Sequence, residues 1–180
     1  MSDEALMEAV KSGDLQKATV LFERYNAAIF NFLARMNGMD RELAADLTQN
    51  VFLRMLKYRG SYRQDGAFRA WIYQVARNVF SDHYQQWKKR GSGFVGIENV
   101  SDNSVDHADG EQAEREQILH QSLARLNEEQ RELLILTRFQ QMKYEEVAVI
   151  MDTTVANIKV KVHRAIQKLR EHYFELEKSQ

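Results

Sequence analysis

The chain has 180 residues, of which 44% are hydrophobic and 28% are charged, and its formal net charge is −1. This length is sufficient for one or two domains with apolar cores. Because the chain has no cysteine, disulfides, thiolate metal sites and cysteine nucleophiles are excluded. It has no proline and 8 glycines, so the turn residues that strands require are scarce. The composition therefore predicts an all-α fold.

The charged residues are segregated along the chain. Residues 54–90 contain nine bases and two acids, which gives +7, and residues 98–116 contain seven acids and one base, which gives −6. Residues 159–170 contain five bases and no acid. A single basic run is usually a solvated helix face, but two basic blocks on predicted helices favour an anionic polymer as partner.

Helical patterns fill the first half of the chain. Residues 3–33 predict a short helix, a glycine break and an amphipathic helix. Asp40 is placed to cap a third helix over 40–58. That helix is apolar on two sides, which is typical of a helix that is fully buried or meets a partner. A loop over 59–66 separates it from a long helix predicted over 67–89.

The outward face of the predicted helix 67–89 combines aromatic and cationic side chains, namely Tyr73, Arg77, Phe80 and Tyr84. Soluble helices rarely expose such a combination to solvent. Two interpretations stay open at this point. The aromatic rings can stack on the bases of a single strand beside a cationic groove, or they can pack under another part of the chain.

Residues 91–113 are rich in Gly, Ser, Asn and Asp and have no helical period. They predict a flexible acidic linker. The chain is therefore expected to have a helical domain over 1–90, the linker over 91–113, and a second helical domain over 114–180.

A helix-turn-helix is predicted near the end of the second domain. Asn127 is placed to cap a preceding helix, and a short helix follows over 144–151. Asp152 occupies a turn position that usually requires left-handed backbone, where Asp is tolerated better than most residues. Thr154 is placed to cap the last helix.

The last helix has an apolar face and an opposite polar face when its residues are placed at 100° each. Its outward and flanking positions present small, amide and cationic groups. The candidate DNA-contacting residues are Asn157, Lys159, Val160, Lys161, His163 and Arg164. Amide and guanidinium groups suit base edges, Val160 suits a thymine methyl group, and the flanking lysines suit phosphates. The pattern predicts a recognition helix in a DNA major groove, although a basic helical hairpin has the same pattern.

Several motifs together resemble one family. They are DLTQNVFLRML at 46–56, SYRQDGAF at 61–68, FRAWIYQVARN at 68–78 and the helix-turn-helix at 144–170. In this order and spacing they resemble the bacterial extracytoplasmic-function sigma factors of the sigma-70 family. The resemblance implies a region 2 bundle and a region 4 helix-turn-helix that are joined by the acidic linker.

The resemblance also implies roles for particular residues. Residues matching the family's polymerase-binding positions are Asp46, Gln49, Asn50 and Leu53. Residues matching the positions that bind and melt the −10 element are Tyr62, Arg63, Tyr73, Arg77, Asn78 and Phe80. The recognition helix would read the −35 element.

The resemblance implies a promoter-specificity subunit with no catalysis of its own, no cofactor, no metal and no small-molecule substrate. Its expected partners are core RNA polymerase, through the β′ clamp helices and the β flap, promoter DNA and an anti-sigma factor. No apolar run is long enough to span a membrane and no signal peptide is recognised, so a cytoplasmic location is expected.

Two other functions compete with this interpretation. An autonomous helix-turn-helix regulator would leave the aromatic face and the 40–58 helix without a role. An all-helical enzyme is disfavoured because no nucleophile motif or Gly-rich phosphate loop is present. The histidines also lack metal-ligand spacing; they are His83, His107, His120, His163 and His172.

Overall fold

The computed structural model describes residues 1–90 and 110–180, and every regular element in these two ranges is helical. The helices of the first domain are α1 (Asp3–Lys11), α2 (Lys17–Met36), α3 (Arg41–Lys57) and α4 (Phe68–Lys89), with a short 3-10 turn at Arg59–Ser61. Those of the second domain are α5 (Gly110–Ala124), α6 (Glu128–Leu134), α7 (Tyr144–Ile150) and α8 (Val155–Lys178), with a π turn at Ile135–Phe139. The all-α prediction is confirmed. In these ranges no helix has the length and apolarity needed to span a membrane.

Polar side chains cap three helices as the sequence predicts. Asp40 accepts a hydrogen bond from the backbone N–H of Leu43 at 3.0 Å and starts α3. Asn127 accepts from the N–H of Gln130 at 2.8 Å and starts α6. Thr154 accepts from the N–H of Asn157 at 3.1 Å and starts α8. Each bond satisfies an amide that has no partner within its own helix.

The start of α5 differs from the prediction. The predicted linker runs to residue 113, but α5 begins at Gly110. An acidic residue in the first turn, Glu111, favours this earlier start because it lies near the positive end of the helix dipole. Glu111 also pairs with Arg115 one turn later, at 3.5 Å. Residues 91–109 of the predicted linker lie outside the described residues.

The core of the first domain lies between α2, α3 and α4. Its large buried side chains include Phe32, Ile72 and Tyr73. Tyr62, in the loop before α4, is also buried and contacts the rings of Phe68 and Trp71 edge-on. These aromatic contacts hold the loop against α4.

A helix-turn-helix forms the end of the second domain, and its turn contains a left-handed residue. Asp152 has φ = 52° between α7 and α8. A glycine would adopt this backbone without the steric penalty that a β carbon introduces.

Replacing Asp152 with glycine is expected to stabilise the protein by about 0.5–1 kcal/mol, because relief of left-handed strain outweighs the extra entropy of the unfolded glycine. The free energy of unfolding measured in urea tests this expectation. A decrease would show that the Asp152 side chain contributes more than the backbone strain removes.

The two domains pack against each other in this structure. Helix α4 of the first domain lies along α7, and α2 lies against the π turn and α6. The guanidinium of Arg35, on α2, lies 4.5 Å from the centre of the Phe139 ring. Gln140, which follows the π turn, donates to the carbonyl of Ala28 at 3.2 Å. This packing covers one side of α4.

Candidate nucleic-acid and polymerase-binding surfaces

The outward face of α8 is exposed along its first three turns. Its predicted base-facing residues Asn157, His163 and Arg164 are exposed, and Val160 is 48% exposed. The opposite face is held in the core by Ile158 and other residues, so α8 cannot rotate this surface away. The exposed face has the length and chemistry that a major groove requires.

The two flanking lysines of α8 differ in their surroundings. Lys159 is exposed, whereas Lys161 is partly buried and its ammonium lies 2.7 Å from a carboxylate oxygen of Glu129 on α6. A phosphate contact by Lys161 therefore has to replace or share this ion pair. Lys159 is exposed, so it can contact a phosphate without replacing this ion pair.

Helix α3 presents a second exposed surface, on the first domain. Leu53 is 65% exposed, although its neighbour Phe52 is buried against Phe22. The predicted polymerase-binding residues Asp46, Gln49 and Asn50 are exposed on the same helix. An exposed leucine that adjoins polar groups has the character of an interface residue.

The loop before α4 contains one buried and one exposed candidate. The hydroxyl of Tyr62 donates to the carbonyl of Gly66 at 2.9 Å, and the backbone carbonyl of Tyr62 accepts from the Lys11 ammonium at 2.9 Å. Arg63 is exposed and lies 3.5 Å from Asp65. Tyr62 therefore shapes the loop from inside, and its ring is not available on the surface.

A groove of about 480 Å³ lies between the end of α3 and the middle of α4. Its lining consists of polar, aromatic and charged side chains: Arg54, Tyr58, Ser61, Trp71, Gln74, Val75, Asn78 and Asp82. Of the predicted −10 residues, Asn78 is exposed and lies in this groove. The groove is open to solvent and has room for a planar group next to Trp71.

The predicted outward face of α4 is not exposed in this structure. Tyr73 is 1% exposed and Phe80 is 7% exposed, and Arg77 is partly buried. Of the two interpretations of this face, packing under another part of the chain is what the structure shows. The expectation that these three side chains are exposed is wrong. Tyr73 packs against the Phe32 ring of α2 and also donates to Gln140 of the second domain, Arg77 pairs with Glu132 of the second domain, and Phe80 lies beside Tyr84 on α4.

Two residues of the second domain that sequence reasoning did not single out contact this face of α4. Glu132, on α6, pairs with Arg77, and the side chain of Gln140 accepts from the Tyr73 hydroxyl at 2.7 Å. The position of Glu132 could have been found, because it lies four and seven residues before Leu136 and Phe139 and so shares their apolar face. No sequence signal points to Gln140.

Burial changes the proton affinity of two groups in this contact. Desolvation raises the pKa of the Tyr73 hydroxyl to about 12, so burial further favours the protonated form that donates to Gln140. Desolvation also raises the pKa of Glu132, while the adjacent Arg77 acts to lower it. The carboxylate of Glu132 thus depends on Arg77 to remain charged in a buried position.

His120, on α5, is expected to make the stability sensitive to pH. Burial, and secondarily the charge of Arg35, lower the pKa of His120. A histidine with a lowered folded-state pKa binds fewer protons when folded than when unfolded, so it reduces stability as pH falls below about 6.5.

The melting temperature of the wild type relative to His120→Gln is therefore expected to fall as the pH is lowered from 7.5 to 5.5. Comparison with this variant isolates His120, because all other titrating groups are shared. A difference that stays constant over this range would show that His120 titrates alike in the folded and unfolded chain.

The described parts of the chain hold no group of three or more His, Asp or Glu residues that could bind a metal ion. The exposed features are instead a cationic helix face, an apolar and polar helix face, and an open groove. These features suit macromolecular partners better than a small substrate.

Two family models match the chain. The model described as Sigma-70 region 2 matches residues 21–90, and the model described as Sigma-70, region 4 matches residues 116–169. The ECF RNA polymerase sigma factor SigM of Bacillus subtilis is 30% identical over 156 residues, which cover 85% of this chain and 93% of SigM. The chain is an extracytoplasmic-function sigma factor of the sigma-70 family. It is thus a promoter-specificity subunit of RNA polymerase.

A further relative agrees with this family, and two solved structures have a similar fold. The RNA polymerase sigma-H factor of Pseudomonas aeruginosa is 29% identical over 173 residues, which cover 91% of this sigma factor and 89% of the relative. The solved structure of CnrH in complex with the cytosolic domain of CnrY has a TM-score of 0.72 at 22% identity, and covers 95% of this chain and 96% of that chain. The sigma factor RpoE of Bartonella quintana, solved with the anti-sigma factor NepR, has a TM-score of 0.69 at 25% identity, and covers 86% and 94%.

Proposed function

We propose that the three surfaces described above each bind a different partner. The α3 surface around Leu53 binds core RNA polymerase, the α8 face reads the −35 element, and the groove and α4 face bind the melted −10 element. The observation that carries the proposal is the exposure of Leu53 and of the outward residues Asn157, Val160, His163 and Arg164 of α8 on otherwise well-packed helices.

The polymerase contact is assigned to the first domain. Leu53 supplies exposed apolar area at its centre, and Asp46, Gln49 and Asn50 surround it with hydrogen-bonding groups. An apolar centre with a polar rim is the usual composition of a protein interface. The β′ clamp helices are the proposed partner of this surface, and the β flap is the proposed partner of the second domain.

The −35 contact is assigned to α8. Asn157, His163 and Arg164 face the bases, and Val160 contacts a thymine methyl group. Lys159 contacts a phosphate and positions the helix without reading sequence. Lys161 joins it once the carboxylate of Glu129 is displaced.

The −10 contact is assigned to the groove and to the covered face of α4. Asn78 lines the groove, where an unstacked base can lie near Trp71. Tyr62 holds the loop before α4 in place, and Arg63 contacts the backbone of the DNA strand. Tyr73, Arg77 and Phe80 line the path of the strand after the second domain has moved away. Extrusion of a base requires unstacking energy, which such contacts offset.

We also propose an anti-sigma factor as a partner, because the Bartonella sigma factor RpoE was solved in complex with the anti-sigma factor NepR. The protein would act in the cytoplasm, where core polymerase is. It would have no small-molecule substrate and no catalysis of its own, and chemistry would belong to the polymerase.

Selection from a random duplex library tests the proposed function. Reconstituted holoenzyme is expected to enrich two sequence blocks at a fixed spacing, and Arg164→Ala is expected to relax only the upstream block. If the protein fails to bind core polymerase, and alone enriches a single block at moderate salt, the autonomous regulator would be the better interpretation.

A further inference from the structure

The loop before α4 is exposed in its middle and buried at both ends. Tyr62 is 1% exposed and Phe68 is 0% exposed, whereas all residues of 63–67 between them are exposed. The loop also closes on itself, because the N–H of Gly66 donates to the carbonyl of Arg63 at 3.0 Å. Residues 62–67, which we call the −10 loop, thus form a small arch. Whatever fixes the two ends of this arch also fixes the groups that it presents.

Both ends of the −10 loop are bonded to one helix, α1. At the first end, the ammonium of Lys11 donates to the backbone carbonyl of Tyr62 at 2.9 Å. At the second end, the N–H of Phe68 donates to a carboxylate oxygen of Glu4 at 3.1 Å. Residues seven positions apart lie two turns from each other on the same side of a helix, about 10 Å apart along its axis. Helix α1 is therefore a rigid spacer between the two ends of the loop.

Glu4 supplies a cap that the adjacent residues do not provide at the start of α4. Ala67 occupies the N-cap position and makes no side-chain bond, and the first turn of α4 contains no acidic residue. The carboxylate of Glu4 accepts from the first amide of α4 and lies near the positive end of the helix dipole. The path by which the −10 loop enters α4 thus depends on a residue of α1.

Helix α1 is held by contacts that do not involve the −10 loop. Met7 and Val10 are both 0% exposed in the core of the first domain. Asp3 accepts from the guanidinium of Arg24 at 2.6 Å and from the hydroxyl of Tyr25, and both of these donors belong to α2. Because α1 is anchored independently, it can impose a conformation on the loop.

We propose that α1 positions the −10 loop for base selection, with Lys11 and Glu4 as the positioning residues. They hold Arg63 and the other exposed groups of the loop in one arrangement, and a site discriminates between ligands only when its groups are held in place. Helix α1 lies before residues 21–90, which the region 2 model matches. The proposal rests on the −10 function proposed above and adds a determinant of its specificity.

The two contacts are tested first in the free protein, by the rate at which trypsin cleaves after the exposed Arg63. Lys11→Met removes the donor at one end of the loop, and Glu4→Ala removes the acceptor at the other. Each is expected to speed this cleavage about fivefold, because the loop leaves its closed arrangement more often. Lys11→Arg keeps a donor and is expected to be cleaved like wild type.

Arg24→Met is the matched control for both variants. It also removes a cation that anchors α1, but its bonds go to the carbonyl of Met1 and to Asp3 rather than to the loop. Cleavage after Arg63 is therefore expected to stay at the wild-type rate in Arg24→Met.

Base selection is tested with reconstituted holoenzyme and the random duplex library. Lys11→Met and Glu4→Ala are each expected to lose about tenfold of the preference for the best base in the downstream block, which is the size of one lost base contact. Enrichment of the upstream block should be unchanged, and Lys11→Arg should recover the downstream preference. A general folding defect would instead weaken both blocks together.

Unchanged cleavage in either variant would overturn the proposal, as would equal losses of downstream preference in Arg24→Met. Faster cleavage with an unchanged preference would overturn the role in base selection, because the contacts would then hold the loop without affecting what it reads. If wild-type holoenzyme enriches no downstream block at all, the −10 function proposed above fails, and base selection by the loop fails with it. Because the cleavage comparison needs no DNA, the two failures are distinguishable.

Discussion

Replacement of Leu53 with aspartate is expected to lower the affinity for core RNA polymerase by at least about 100-fold, which corresponds to the loss of one strong interface residue. Leu53 is 65% exposed in the free protein, so its side chain is available for burial by a partner. An aspartate at that position would place an unpaired charge in an apolar interface, where desolvation is unfavourable.

Folding should be nearly unaffected by this change, because an exposed leucine contributes little to the core. The comparison is co-elution of wild type and variant with core polymerase, together with their melting temperatures. Leu15→Asp is a matched control, because Leu15 is also exposed in the first domain but lies before α2, away from the α3 surface. Normal binding by Leu53→Asp would move the polymerase contact away from α3.

Replacement of Arg131 with methionine is expected to reduce the free energy of unfolding by about 3–5 kcal/mol, because several carbonyls, most of them buried, lose a charged donor at once. Arg131 is buried, and its guanidinium donates to the carbonyls of Leu123, Ala124 and Leu126 at 2.9–3.0 Å. A fourth bond, 2.9 Å long, reaches the carbonyl of Met36 in the first domain.

The position of Arg131 explains this large effect. The carbonyls of Leu123 and Ala124 belong to the last turn of α5, where helices run out of amide donors. Leu123 also accepts from the backbone N–H of Leu126 at 3.1 Å, which follows the helix. The cation also lies at the negative end of the α5 dipole. Methionine keeps the aliphatic volume but supplies no donor.

Urea unfolding of Arg131→Met tests this expectation, with Arg125→Met as the matched control. Arg125 is exposed and its ion pair with Glu175 is 3.6 Å long, so its removal should change stability by less than about 0.5 kcal/mol. Similar, small losses in both variants would show that water replaces the guanidinium of Arg131 as donor.

Local patterns predicted most of the helices and their ends. Asp40, Asn127 and Thr154 cap the helices that the sequence assigns to them, and Asp152 adopts the left-handed backbone expected of its turn. Such features depend on a few adjacent residues, so they can be recognised without knowledge of the rest of the fold. The start of α5 was the exception, because a Gly- and Asp-rich composition masked its first turn.

Helical periodicity also predicted which side of α8 is buried. It predicted in addition that α3 has a second apolar side, on which Leu53 lies. The exposed face of α8 follows from the core contacts of Ile158 and Val162 on its other side. The same reasoning defined the face of α4 that holds Tyr73 and Arg77, but it did not decide what this face contacts.

The sequence by itself determined the helices, the helix-turn-helix and the sigma-factor family of the chain. Only the tertiary structure decided that the second domain contacts Tyr73 and Arg77, through Gln140 and Glu132. The physical reason is that the period of a helix defines a face locally, whereas the occupant of that face depends on a complementary surface elsewhere. Here that surface contains Glu132, 55 residues further along the chain, and its charge becomes complementary to Arg77 only when the domains meet.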